Sequence, residues 1–272
     1  MKNPFVFALA LLPVVAPMEN GPLPLAAQGA VVIDALTGRT LYEKNADETF
    51  FPASTTKILT ALLVIEAGDL DHRVVIQPAD TKVEPSSIGL KPGEVHTRRE
   101  LLYALMLKSA NDAAMALARD NAGSVTAFAE KMNRRAVELG AKNSHFNNPH
   151  GLPDPQHHTT PHDLALIARA AMQQPFFRQI VGTVTHPWVV GGATRVLKNH
   201  NKLLWCPPWK FEGCTGLKTG YTHVARQVLV SSALRNGREV IAVVMHSNKP
   251  GIWTDSRTLL DYGLEHLPWP GF

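Results

Sequence analysis

The apolar positions along the chain change period several times, and the changes mark its elements. Gly29–Asp34 is a short apolar run of strand length, Thr37-Gly38 a turn, and Thr40–Glu43 a partner strand. From Ser54 to about Ala67 the spacing becomes helical, with Ile58, Leu59, Leu62, Leu63 and Ile65 on the apolar side and Gly68 as the stop. Thr97-Arg98-Arg99-Glu100 has the form of a capping box ahead of an apolar helical run. Another helix follows Asn111, and Ser124 caps a further one ending near Gly140. Thr160-Pro161 opens a fourth in this series, with proline at the first helical position. Gln227–Ala233 and Glu239–His246 read as strands joined at Arg235-Asn236-Gly237-Arg238, and a last helix runs from about Thr254 to His266. Strands, helices, strands, helix predicts an α+β fold. One antiparallel sheet, assembled from both ends of the chain, is flanked by helices and interrupted by a mostly helical insert over about 97–180, with 268–272 as a tail.

Charge alters this picture little. Lys and Arg total 27 against 23 Asp and Glu, and the basic residues never form a run of five, which argues against nucleic acid as a partner. The amino terminus matters more. Met1–Ala16 combines Lys2 with an apolar stretch from Phe5 to Ala16, and small residues follow at Ala16 and Ala26-Ala27. Residues 1–27 therefore read as a secretory signal whose cleavage site stays open. The stretch is shorter than the roughly 20 residues of a membrane span, so the alternative is a retained segment giving loose membrane association. Export to the periplasm or the wall face of the membrane makes a disulfide between Cys206 and Cys214 the expectation for the only two cysteines.

Three short motifs carry candidate chemistry. In Ser54-Thr55-Thr56-Lys57 the first and last residues are one helical turn apart, so the lysine amine reaches the serine hydroxyl. A serine becomes a nucleophile when a base takes its proton, and lysine is that base only when neutral. Desolvation and a second cation would favour the neutral amine. Ser109-Ala110-Asn111 lies between two helical patterns, where caps are also common. Lys218-Thr219-Gly220, followed by Tyr221, precedes the strand at Gln227 and would supply that second cation. The first two motifs are weak alone and Lys-Thr-Gly is uncommon by chance; together, in this order, they match a trio known from penicillin-binding proteins and class A β-lactamases.

With PAST around Ser54, KSANDAA from Lys108, NPHGL from Asn148, NHNKLL from Asn199, GLKTGYT from Gly216 and LLDYG from Leu259, the chain resembles the serine D-alanyl-D-alanine carboxypeptidases, the low-molecular-mass penicillin-binding proteins of peptidase family S11. The resemblance implies a β-lactamase/transpeptidase-like fold. It implies Ser54 as nucleophile, Lys57 as its base and Ser109 as a proton relay, all converging on the serine oxygen with Lys218. Asn111 would hold a substrate carbonyl, Thr219 the terminal carboxylate, and the N–H groups of Ser54 and Tyr221 the oxyanion, beside Gly220. It also implies peptidoglycan pentapeptides as substrate, β-lactams as acylating inhibitors, and no metal or organic cofactor.

Three departures from the family pattern stand out. Arg226 occupies a position where many relatives carry glycine, and is expected to face solvent. No arginine beyond the last strand answers to the one that helps hold the carboxylate in some relatives; Lys249 is the nearest cation. The sequence ends at Phe272, so the expectation is a single catalytic domain without the C-terminal β-rich domain of many relatives. A β-lactamase reading fails for want of a glutamate in Asn147–His162. The histidines His145, His150, His157, His158 and His162 lack a His-Glu-x-x-His helix and read as a polar loop with capping and solvent roles, not a metal site.

Overall fold

The computed structural model describes residues 22–83 and 85–267; the segment read as a signal falls largely outside them, as does the 268–272 tail. The strands are β1 (Gly29–Asp34), β2 (Thr40–Lys44), β3 (Arg73–Val75), β4 (Val95–Thr97), β5 (Thr185–Val190), β6 (Ala193–Lys198), β7 (Cys214–Thr222), β8 (Arg226–Arg235) and β9 (Arg238–Ser247). The helices are α1 (Lys57–Glu66), α2 (Arg98–Leu107), α3 (Asn111–Ala122), α4 (Val125–Glu138), α5 (Pro161–Met172), α6 (Pro175–Gly182) and α7 (Gly251–His266). The main sheet is antiparallel with strand order β2-β1-β9-β8-β7, so the two ends of the chain meet where β1 pairs with β9. The remaining pairs, β3–β4 and β5–β6, are separate two-stranded ribbons.

The central strands are apolar throughout because both faces are covered, and successive side chains point to opposite sides. Val31 and Ile33 of β1, with Ile241, Val243 and Met245 of β9, enter the larger core on the side where α5 packs against the sheet. Ala30 and Val32, with Val240, Ala242 and Val244, pack into a second core under α7. Asn236 and Gly237 both have positive φ, the backbone that a two-residue hairpin between β8 and β9 requires. The Thr97 capping box is complete, and Ser124 and Thr160 cap α4 and α5 as their sequences predict.

Some elements depart from expectation. The stretch read as one helix from Ser54 begins as a 3₁₀ turn, Ala53–Thr56, before α1. The motif Lys218-Thr219-Gly220, which the sequence placed only ahead of the strand at Gln227, lies in an edge strand of its own. The ribbon β5–β6 and helix α6 had no assigned counterpart in the sequence reading. The expected disulfide is not formed: Cys206 Sγ faces the Pro207 carbonyl oxygen at 3.4 Å, and Cys214 Sγ faces that of Gly216 at 3.5 Å. Backbone bonds from Trp209 and Lys210 to the Cys206 carbonyl wind that cysteine into a tight turn, while Cys214 is drawn into β7.

Asp255 of α7 ties down the start of the described chain. Its buried carboxylate accepts hydrogen bonds from the N–H groups of Ala26 (3.1 Å) and Ala27 (2.8 Å) and from Ser247 Oγ (3.0 Å). Removing it strands two buried donors, on Ala27 and Ser247, and a part-buried one on Ala26, at about 1–3 kcal/mol for a buried unsatisfied group. Asp255→Ala should therefore lower the unfolding free energy by about 3 kcal/mol in urea titration; a loss below about 0.5 kcal/mol would show that this anchor carries no weight.

Candidate active site

The site begins with a lysine that ordinary burial rules would exclude. Lys57 is fully buried at the first turn of α1, under the 3₁₀ turn that carries Ser54. Its Nζ lies 3.1 Å from Ser54 Oγ, 2.7 Å from Asn111 Oδ1 and 2.6 Å from the His150 carbonyl oxygen. An ammonium would donate to all three. A neutral amine has two hydrogens and one lone pair. The amide and peptide oxygens can only accept, so they take both hydrogens, and the lone pair is left facing the serine hydroxyl.

Electrostatics favours that neutral form. Desolvation pushes the Lys57 amine well below the usual lysine range, the charge of Lys218 pushes it further, and Asp112 opposes weakly. Lys218, equally buried on β7, is lowered to about 7 by desolvation, and its Nζ donates to the Thr219 carbonyl oxygen at 2.8 Å.

The two carbonyl partners of Lys57 are themselves held. Asn111 Nδ2 donates to the Pro85 carbonyl oxygen. Asp112 gathers the adjacent loop by accepting from the N–H groups of Ile88, Gly89 and Leu90 and from Ser87 Oγ. The His150 carbonyl belongs to a loop that lies directly under the 3₁₀ turn. Gly151, with φ +86°, sits so close to Ala53 that a Cβ there would fall 1.8 Å from the Ala53 carbonyl oxygen. Below it, His157 Nδ1 accepts from the Asn147 N–H at 3.0 Å, so Nε2 carries the proton and donates to Thr56 Oγ1 at 2.9 Å. Desolvation holds His157 to about 4 and His150 to about 3, so both imidazoles are neutral at pH 7. These two histidines are buried supports, which corrects the reading of the cluster as a polar, solvated loop.

The third motif arrives from the sheet. Gly220 lets the β7 backbone come up against the serine: a Cβ there would lie 3.0 Å from Ser54 N and 3.1 Å from the Pro52 carbonyl oxygen. Ser54, Ser109, Thr219, Gly220 and Tyr221 line one cleft of about 1370 Å³, with Arg226 and Lys249 on its wall. Arg226 is solvent-exposed, as expected, yet borders the cleft. Only Lys57 hydrogen-bonds to Ser54 Oγ; Lys218 bonds to its own strand, and the buried Ser109 hydroxyl has no hydrogen-bond partner among the described residues. Asn111 does not line the cleft and spends its side chain on Lys57 and Pro85. Of the supports, Gly151 and His150 lay within the NPHGL segment, but nothing in the residue pattern assigned His157 a place behind the serine.

The family model for D-alanyl-D-alanine carboxypeptidase matches residues 16–249. A D-alanyl-D-alanine carboxypeptidase of Mycobacterium tuberculosis is 37% identical over 93% of this chain and 86% of its own length. One from Streptomyces is 37% identical over 88% of this chain and 87% of its own. Among solved structures, a D-alanyl-D-alanine carboxypeptidase from Mycobacterium tuberculosis superposes with a TM-score of 0.86 at 36% identity, covering 94% of this chain and 97% of that one. A mutant of the Streptomyces K15 DD-transpeptidase gives 0.83 at 36% identity, over 90% and 100%.

Gly151→Ala would force a side chain into the Ala53 carbonyl and out of an allowed φ. It should cost at least about 3 kcal/mol of stability and abolish labelling by a fluorescent penicillin. A variant that keeps wild-type melting temperature and labelling would disprove this support.

Proposed function

The chain belongs to the D-alanyl-D-alanine carboxypeptidase family, and on that premise we propose that Ser54 is the nucleophile that removes the terminal D-alanine from peptidoglycan pentapeptide stems. The observation that carries the assignment is the pair of carbonyl partners that leaves the Lys57 lone pair facing Ser54 Oγ.

The neutral Lys57 amine takes the hydroxyl proton as Oγ attacks the carbonyl carbon of the penultimate D-alanine. The negative oxygen that forms is held by the N–H groups of Ser54 and Tyr221, near the amino-terminal end of the turn leading into α1. The C–N bond then breaks and the leaving amine needs a proton. Lys57 holds one, and the unpartnered Ser109 hydroxyl on the cleft wall passes it on. D-alanine departs, an ester remains on Ser54, and water hydrolyses it with the same base. Thr219 and the cations of the wall receive the terminal carboxylate. Asn111 acts as a positioning residue, because its carbonyl holds Lys57 and its amide nitrogen is fixed by Pro85. A β-lactam follows the same path as far as the ester and stops there. None of these steps calls for a metal or organic cofactor.

The reading places the enzyme outside the cytoplasm, where its substrate is. The signal-like residues 1–27 support export, and loose membrane association would come through the same segment. Residues 28–267 would form the serine peptidase domain.

Mass spectrometry after incubation with benzylpenicillin should find one adduct, on Ser54, and D-alanine should be released from a pentapeptide ending in D-alanyl-D-alanine. Ser54→Ala should lose both. An adduct on another residue, or an active Ser54→Ala protein, would overturn the assignment.

A further inference from the structure

The charge of the cleft is out of keeping with that of the chain. Five of its lining side chains are cationic, Lys108, Lys198, Lys202, Arg226 and Lys249, and among the described residues none of the lining is Asp or Glu. The whole chain has a net charge of only +4. Elsewhere arginines are paired with acids: Arg98 with Asp120, Arg119 with Asp80, Arg135 with Glu66, Arg178 with Glu239. None of the five cleft cations appears in an ion pair among the described residues. Two are instead set on aromatic rings. Lys198 Nζ lies 3.4 Å from the centroid of Trp205, and Lys202 Nζ 5.9 Å from that of Trp253, both rings belonging to the cleft wall. A cation held over a ring keeps its charge and its place while remaining open to an anion.

The reaction at Ser54 needs only one carboxylate to be recognised, that of the departing D-alanine, and one carboxylate cannot engage five separate cations. Any second negative charge on a linear peptide substrate must lie on the side of the scissile bond that becomes the acyl group. Resting on the proposed reaction, we propose that this cleft selects stem peptides carrying a free carboxylate upstream of the scissile bond over the same peptides with that group amidated, and that Lys198 and Lys202 are the residues that read it. The cationic wall raises the local concentration of such anions and lowers the cost of desolvating the second carboxylate.

The test uses two N-acetylated pentapeptides with the same D-alanyl-D-alanine end, one with a glutamyl α-carboxylate upstream and the other with its amide. Two exposed charge contacts are each worth up to about 1 kcal/mol, so kcat/KM for the free acid should exceed that for the amide by about tenfold at low ionic strength. The advantage should shrink to about twofold in 0.5 M salt, where screening acts over less than about 5 Å. In the Lys198→Gln/Lys202→Gln double variant, labelled by penicillin to show an intact serine, the ratio of the two substrates should fall to within twofold at low salt. Equal rates and equal salt dependence with the wild-type enzyme would overturn the selectivity while leaving the serine peptidase reading standing. A ratio unchanged in the double variant would overturn the assignment to these lysines. No D-alanine release from either peptide would overturn the reaction itself, and the selectivity with it.

Discussion

Two carbonyl oxygens decide the chemistry of this molecule. The Asn111 side chain and the His150 backbone both present acceptors to one buried amine, and neither can donate. They make the orientation of the Lys57 lone pair a matter of hydrogen-bond accounting and not of chance. Much of the surrounding architecture serves to hold these two oxygens. Asp112 gathers the loop whose Pro85 carbonyl fixes Asn111. Gly151 and His157 press the His150 loop against the 3₁₀ turn from below, so the serine and the loop that orients its base share one packing unit.

Burying two lysines is costly, and among the described residues neither forms an ion pair with a carboxylate. The large core divided by the central sheet can bear that cost, with strand residues feeding alternately into its two halves. The sheet also delivers the second amine. Lys218 rides on β7, an edge strand whose Gly220 backbone abuts Ser54, so the element that supplies the field is also the wall along which a peptide would lie. Charge on one lysine disfavours charge on the other, and Lys57, which is both desolvated and adjacent to Lys218, is the one driven to neutrality.

Much of this was visible in the residues themselves. The capping box of α2, the caps of α4 and α5 and the Asn236-Gly237 hairpin follow from local rules, since each depends on neighbours a few positions apart, and the union of the two chain ends follows from strands at either end that need partners. The Ser54–Lys57 contact is likewise a one-turn relation. The rest depends on distance. His157 lies 101 residues from the Thr56 it supports, and no period in the sequence links them. Lys218 comes from an edge strand more than 150 positions along the chain, and the hydrogen bond from its amine to the Thr219 carbonyl follows from no local pattern. β5 and β6 carry exposed valines and a proline among their buried residues, which hid their alternation. The cysteine pair failed for a reason of direction: nearness in sequence says nothing about where two sulfurs point once one is in a turn and the other in a strand.

The account stands on Lys57 being an uncharged amine in the resting protein. Lysine labelled with 13C and 15N, assigned through a Lys57→Arg variant, gives the charge of that side chain directly from its chemical shifts across a pH titration. The account predicts neutral-amine shifts for Lys57 at pH 7.5, and a rise in its pKa when Lys218→Met removes the neighbouring charge. Ammonium shifts persisting to about pH 10, with no response to Lys218→Met, would contradict it.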